Sequence, residues 1–94
     1  MSTSNVSYPL MPEWSTAEII AMSAFYAAVE DLNTVGIKRD EFMEHYHHFL
    51  AIEPAKAAQK QLDKAFEKET GFSIYRSVQY VLAHEQKNVK FTGK

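Results

Sequence analysis

Apolar side chains recur at intervals of three and four along four stretches of the chain, and the breaks between these stretches fall at proline and glycine. In the first stretch Ile19, Met22, Phe25, Tyr26, Val29 and Leu32 trace one stripe, the spacing of a helix with a single buried face. Trp14-Ser15-Thr16-Ala17-Glu18-Ile19 stands ahead of it. That run reads as a capping box, with Ser15 as N-cap and Glu18 reaching back from N3, and it sets Trp14 and Ile19 at the positions of a hydrophobic staple. Gly36 is the natural terminator.

The second pattern predicts a helix over about Arg39 to Ile52, with Phe42, Met43, Tyr46, Phe49 and Leu50 inward and Glu41, Glu44 and His48 outward. Glu53-Pro54 ends it, because the residue before a proline is disfavoured in the helical region. Pro54 can then serve as an early residue of the next helix, about Ala55 to Thr70. Ala55, Ala58, Leu62, Ala65 and Phe66 share a face there, and the three alanines suggest close approach of a neighbour. Gly71 closes that helix, and Ser73 opens a fourth that aligns Ile74, Tyr75, Val78, Val81 and Leu82 inward and frays near Gln86. The expected fold class is all-α, a small antiparallel bundle of about four helices with short connections. Few turn–strand signatures argue against a sheet. The organisation is an extended leader over residues 1–13, a single helical domain over 14–86 and a flexible basic tail over 87–94.

At 94 residues and 10.8 kDa the chain has room for one modest core. With 46% hydrophobic and 23% charged residues its composition is that of a globular protein. The absence of cysteine excludes a disulfide scaffold, a thiolate zinc site and a cysteine nucleophile. No apolar run reaches the ~20 residues of a membrane span and no signal-peptide pattern precedes the first helix, so a cytoplasmic protein without a membrane segment is expected. The formal charge of −2 hides a division. Residues 1–55 hold eight acids against Lys38 and Arg39, whereas residues 56–94 hold eight bases against Asp63, Glu67, Glu69 and Glu85. Such a dipolar chain favours contacts with itself or another protein over broad attraction to a polyanion.

Four constellations carry candidate chemistry. Glu41, His45 and His48 are spaced i, i+4, i+7 and could face one ion, but a further ligand is signalled nowhere and a zincin motif is absent. A solvated polar face explains them better, so neither metal nor cofactor is expected. Lys56, Lys60, Lys64 and Lys68 form a ridge that could track phosphates, yet Asp63 and Glu67 interleave with it as on an ordinary solvated helix. No serine lies in a nucleophile elbow and no glycine-rich phosphate loop exists, and the chain is read as non-enzymatic. The leader segment Tyr8-Pro9-Leu10-Met11-Pro12-Glu13-Trp14 carries four large apolar side chains, which either pack back over the bundle or enter a partner's groove; the Trp14 staple favours packing back. In the fourth, Tyr75 on the inner stripe is flanked by Arg76 and Gln79, where an anion or a partner's carboxylate could be held. Pairing of Arg76 with the acidic half is the simpler explanation.

Tyr8-Pro9-Leu10, Trp14-Ser15-Thr16-x-Glu18-Ile19, Tyr46-x-x-Phe49, Lys60-Gln61-Leu62 and Gly71-Phe72-Ser73-x-Tyr75-Arg76-x-Val78-Gln79 follow one another in this order. With these motifs, spread from Tyr8 to Gln79, the chain resembles the YktA group, an uncharacterised family of small cytosolic proteins from Bacillus-type Gram-positive bacteria. The resemblance implies a small all-helical domain with no assigned activity and no catalytic residues. It also implies basic residues at His47 and His48, which makes the histidine cluster a local variation.

The expected function is a non-catalytic protein–protein interaction module of a bacterial cytosol, with an unknown partner or a second copy in a homodimer. Its expected surface comprises Tyr8, Trp14, Tyr75, Arg76 and Gln79, since aromatic and arginine side chains are enriched at interface hot spots. The alternative is an accessory nucleic-acid binder using Lys56, Lys60, Lys64, Lys68 and the basic tail. That alternative is disfavoured by the net acidic charge.

Overall fold

In the computed structural model, which describes residues 8–92, the first helix begins where the capping box puts it. The Glu18 amide donates to Ser15 Oγ at 3.1 Å and the Ser15 amide donates to Glu18 Oε1 at 2.8 Å. The elements run α1 (Thr16–Leu32), β1 (Ile37–Lys38), α2 (Arg39–Ile52), α3 (Lys56–Thr70), α4 (Ile74–Ala83) and β2 (Asn88–Val89). The protein is an all-α, bundle-like globule, as the periodicity predicts. Pro54 lies outside α3, because Ala55 is the extended N-cap residue and is itself exposed.

The core is built around α1. Met22, Phe25, Tyr26, Val29 and Leu32 are each fully buried. Phe25 stacks on Phe49 of α2 with ring centroids 4.7 Å apart and also meets Phe42 and Tyr46. Tyr26, one residue further and therefore about 100° around the helix, stacks instead on Phe66 of α3 at 5.1 Å. Successive residues of one helix thus anchor two different neighbours. The fourth helix joins through a polar link: the amide of Asn33 donates both to the Val29 carbonyl and to the hydroxyl of the buried Ser77, which in turn donates to the Ser73 carbonyl.

Two expectations are corrected. A sheet exists, although only of two residues per strand: β1 pairs antiparallel with β2, Ile37 opposite Val89 and Lys38 opposite Asn88. Its consequence is that the segment after α4 is no free tail as far as it is described. Val89 is buried, the Arg39 amide donates to the Lys87 carbonyl and the Phe91 amide donates to the Leu32 carbonyl at the end of α1. The Phe91 ring stacks on Tyr80. Gly93 and Lys94, like residues 1–7 of the leader, lie outside the described residues. Gly36, with φ of +93°, makes this closure feasible, since a Cβ there would come within 3.2 Å of the Val89 carbonyl oxygen.

The second correction concerns α4. Ile74, Ser77, Val78 and Val81 face the core, while Tyr75 and Leu82 face outward. A ten-residue helix buries only a narrow stripe, and Asp63 rotates this one by holding its first turn. The Ile74 amide donates to Asp63 Oδ1 at 2.6 Å, and the Ser73 hydroxyl lies 3.5 Å from the same oxygen. At the other end the Arg39 guanidinium donates through Nε to the carbonyls of His84 at 3.0 Å and Val81 at 3.3 Å. A cation there meets the negative end of the helix dipole.

Removal of residues 88–94 is expected to lower the unfolding free energy by about 2–3 kcal/mol, the scale of burying Val89; an unchanged urea midpoint would return this segment to the status of a free tail. Arg39→Met, which retains the apolar stem but not the donors, is expected to cost about 1–2 kcal/mol, read by the same titration.

Candidate functional site

The two leader residues placed on the expected partner surface belong to the fold. Trp14 is only 7% exposed, and its indole N–H donates to Glu53 Oε2 at 2.8 Å at the α2–α3 junction. Tyr8 packs its ring against Tyr26 and Phe66 and donates its hydroxyl to Glu30 at 2.5 Å. The Tyr26 hydroxyl donates to the Pro9 carbonyl, and a turn closed by the Trp14 amide on the Met11 carbonyl, with Pro12 at its second position, brings the leader into α1. The leader packs back. Burial raises the hydroxyl pKa of both tyrosines above the ordinary value of about 10. For Tyr8 the hydrogen bond and charge of Glu30 and the charge of Asp31 add to the shift, and for Tyr26 the charge of Glu53 does so.

The other three residues of that surface come together. Tyr75, Arg76 and Gln79 are exposed on α4 and line a groove of about 490 Å³ bounded by α2, α3 and α4. Tyr46 and Phe49 from α2 and Ile74 and Val78 from α4 contribute its apolar wall. Burial also raises the Tyr46 hydroxyl pKa. Lys56 and Lys60 line it from α3 and Arg76 from α4. The sequence-predicted lysine ridge is therefore divided: two of its members line the groove, whereas Lys64 and Lys68 are exposed farther along α3. Asp63 is the sole carboxylate among the lining residues, and the Ile74 amide occupies it.

The histidines do not assemble a site of their own. Glu41 and His48 are exposed, whereas His45 is half-buried with its Nδ1 atom enclosed and without a hydrogen-bond partner. Among the described residues no three His, Asp or Glu side chains come together as a metal would require. Two groups that matter were not singled out in the sequence. Asp63 reads as a solvated helix residue, and its role is created by a contact 11 positions away. Arg39 reads as a helix start, yet it caps a different helix. Neither carried a local signal that could have found it.

Comparison with known proteins adds a lineage to this geometry. Residues 5–90 match the model of an uncharacterised protein family, UPF0223. The chain belongs to the UPF0223 family. It is 43% identical to the UPF0223 protein str0998 of Streptococcus thermophilus over 86 residues, which covers 92% of each chain. It is 44% identical over 72 residues to the UPF0223 protein BcerKBAB4_3787 of Bacillus mycoides, covering 77% of this chain and 81% of that one. A UPF0223 protein of Staphylococcus aureus, SAB0963, is 39% identical over 84 residues, covering 88% of this chain and 92% of that protein. The expectation of an uncharacterised family of Gram-positive bacteria holds. Among the described residues no helix is long and apolar enough to cross a membrane.

The buried phenols give the leader a pH dependence. Because Tyr8 and Tyr26 retain their protons to higher pH in the folded chain than in the unfolded one, their contribution to stability is fully present below about pH 10 and falls as pH rises beyond it. Urea midpoints measured from about pH 8 to about pH 11 should show that decline, and its slope should be shallower in Tyr8→Phe/Tyr26→Phe. An equal slope in the double variant would contradict the assignment.

Proposed function

We propose that this UPF0223 protein is a non-catalytic protein–protein interaction module of the bacterial cytoplasm, docking its partner on α4 and the adjoining groove. One observation carries the reading. Tyr75 is 65% exposed and Leu82, seven residues later on the same face, 46% exposed, on a short helix whose opposite face is fully committed to the core. A large aromatic and an aliphatic side chain held in water beside an apolar wall are the makings of an interface core. Arg76 and Gln79 alongside supply polar contacts of the kind found at hot spots.

Three polar side chains on or against α4 are engaged in structure, which supports the non-catalytic part. The Ser77 hydroxyl is buried between Asn33 and the Ser73 carbonyl, the Ser73 hydroxyl accepts from the Arg76 amide as an N-cap, and Asp63 holds the start of α4. Each is spent on structure.

Affinity capture from a Gram-positive lysate, run in parallel with wild-type chain and Tyr75→Ser/Arg76→Ala, tests the proposal. At least one protein retained by the wild type should be lost with the variant, whose circular dichroism should be unchanged because both positions are exposed. Identical retained sets would overturn this choice of surface.

A further inference from the structure

We propose that the groove between α2, α3 and α4 binds an acidic peptide segment that inserts an apolar side chain; this rests on the reading of that face as a docking surface. The charge of the groove is one-sided. Lys56, Lys60 and Arg76 line it against the single carboxylate of Asp63, and that carboxylate is already accepting the Ile74 amide at 2.6 Å. Three cations against one carboxylate leave the lining with a net positive charge on a chain whose formal charge is −2. An incoming segment with carboxylates is steered to this site and not to the acidic remainder of the surface.

The wall sets the second requirement. Tyr46, only partly buried, offers its ring to the groove, and Phe49, Ile74 and Val78 behind it are almost wholly buried in the core and hold that apolar wall rigid. An aliphatic or aromatic anchor placed there exchanges water for carbon on both sides, and Tyr75 stands beside it with its ring available to cover the anchor. A bare anion would use the cations and leave the wall wet.

Two other occupants fit less well. A second copy docked on this groove by a two-fold axis would bring two sets of Lys56, Lys60 and Arg76 into one interface with only the two Asp63 carboxylates to offset them, so the interface would carry excess positive charge. A single-stranded nucleic acid needs a continuous basic track with stacking platforms. Here Lys64 and Lys68 lie outside the groove and Glu67 stands between them, so the track is interrupted after Lys60.

Short random peptides displayed on phage and panned against the full chain, with Tyr75→Ser as counter-selection and Lys60→Glu/Arg76→Glu as the charge-reversed comparison, test the inference. Enriched peptides should carry net negative charge and at least one large apolar residue. As synthetic fluorescent peptides they should lose about tenfold or more in affinity against the charge-reversed variant and against Tyr75→Ser, with circular dichroism confirming that both variants fold. Enriched peptides that are neutral or basic and still depend on Tyr75 would overturn the acidic partner and leave the docking surface standing. No enrichment over the counter-selected variant would overturn the peptide proposal, and the capture experiment would then decide the surface by itself. A fluorescent oligothymidine that binds the groove as tightly as the best peptide would overturn it in favour of nucleic acid. Concentration-dependent dimerisation in light scattering, abolished by Tyr75→Ser, would overturn it in favour of self-association.

Discussion

Phe25 and Tyr26 are neighbours on one helix, and the angular step of an α-helix sends their rings in directions about 100° apart. One ring enters the cluster of Phe42, Tyr46 and Phe49 from α2, and the other enters that of Phe66 and Tyr8. A chain this small has too little interior for two independent cores. A single helix serving two aromatic clusters keeps every other element within reach of one continuous core. The position of α3 relative to α2, and with it the width of the groove between them, follows from that pair of stacks.

Around this aromatic hub the ends of the elements are held by polar groups from distant parts of the chain. Asp63 of α3 holds the first turn of α4, Arg39 at the start of α2 caps its last turn, and Glu53 receives the Trp14 indole. Helix termini leave backbone donors and acceptors unpaired, and a buried unpaired group costs about 1–3 kcal/mol. These contacts therefore orient as well as stabilise. Because α4 is pinned at both ends, its rotation is set, and Tyr75 and Leu82 are left in water instead of in the core. The exposed face on which the proposed function rests is a by-product of how α4 is anchored. The groove beside that face is net cationic, since Lys56, Lys60 and Arg76 outnumber Asp63 in its lining.

Much of this was legible in the sequence. The capping box at Ser15 and Glu18 is local chemistry spread over four residues, and α1 starts there. Arg39 to Ile52 and the break at Glu53-Pro54 follow from periodicity and from the steric demand of proline, and Gly71 ends α3 with φ of +83°. Phe42, Phe49, Leu62 and Phe66 fall on their stripes because their spacing matches 3.6 residues per turn and each helix has one wet side. Tyr75, Arg76 and Gln79 could be paired by their spacing. That they would share a groove with Lys56 and Lys60 could not, since those lysines belong to another helix.

What local pattern determined was the class of the fold, the number and extent of its helices and most of the side chains that fill the core, because those properties depend on interactions within a few residues. Tertiary structure alone decided which side of α4 is wet, whether Trp14 is a partner contact or a core residue, and whether the chain after α4 is free. Each of those depends on a contact between residues tens of positions apart: Trp14 with Glu53, Arg39 with His84, Ile37 with Val89. An apolar residue at a helix edge satisfies the inward and the outward reading equally well in one dimension. Only the element that packs against it breaks the tie.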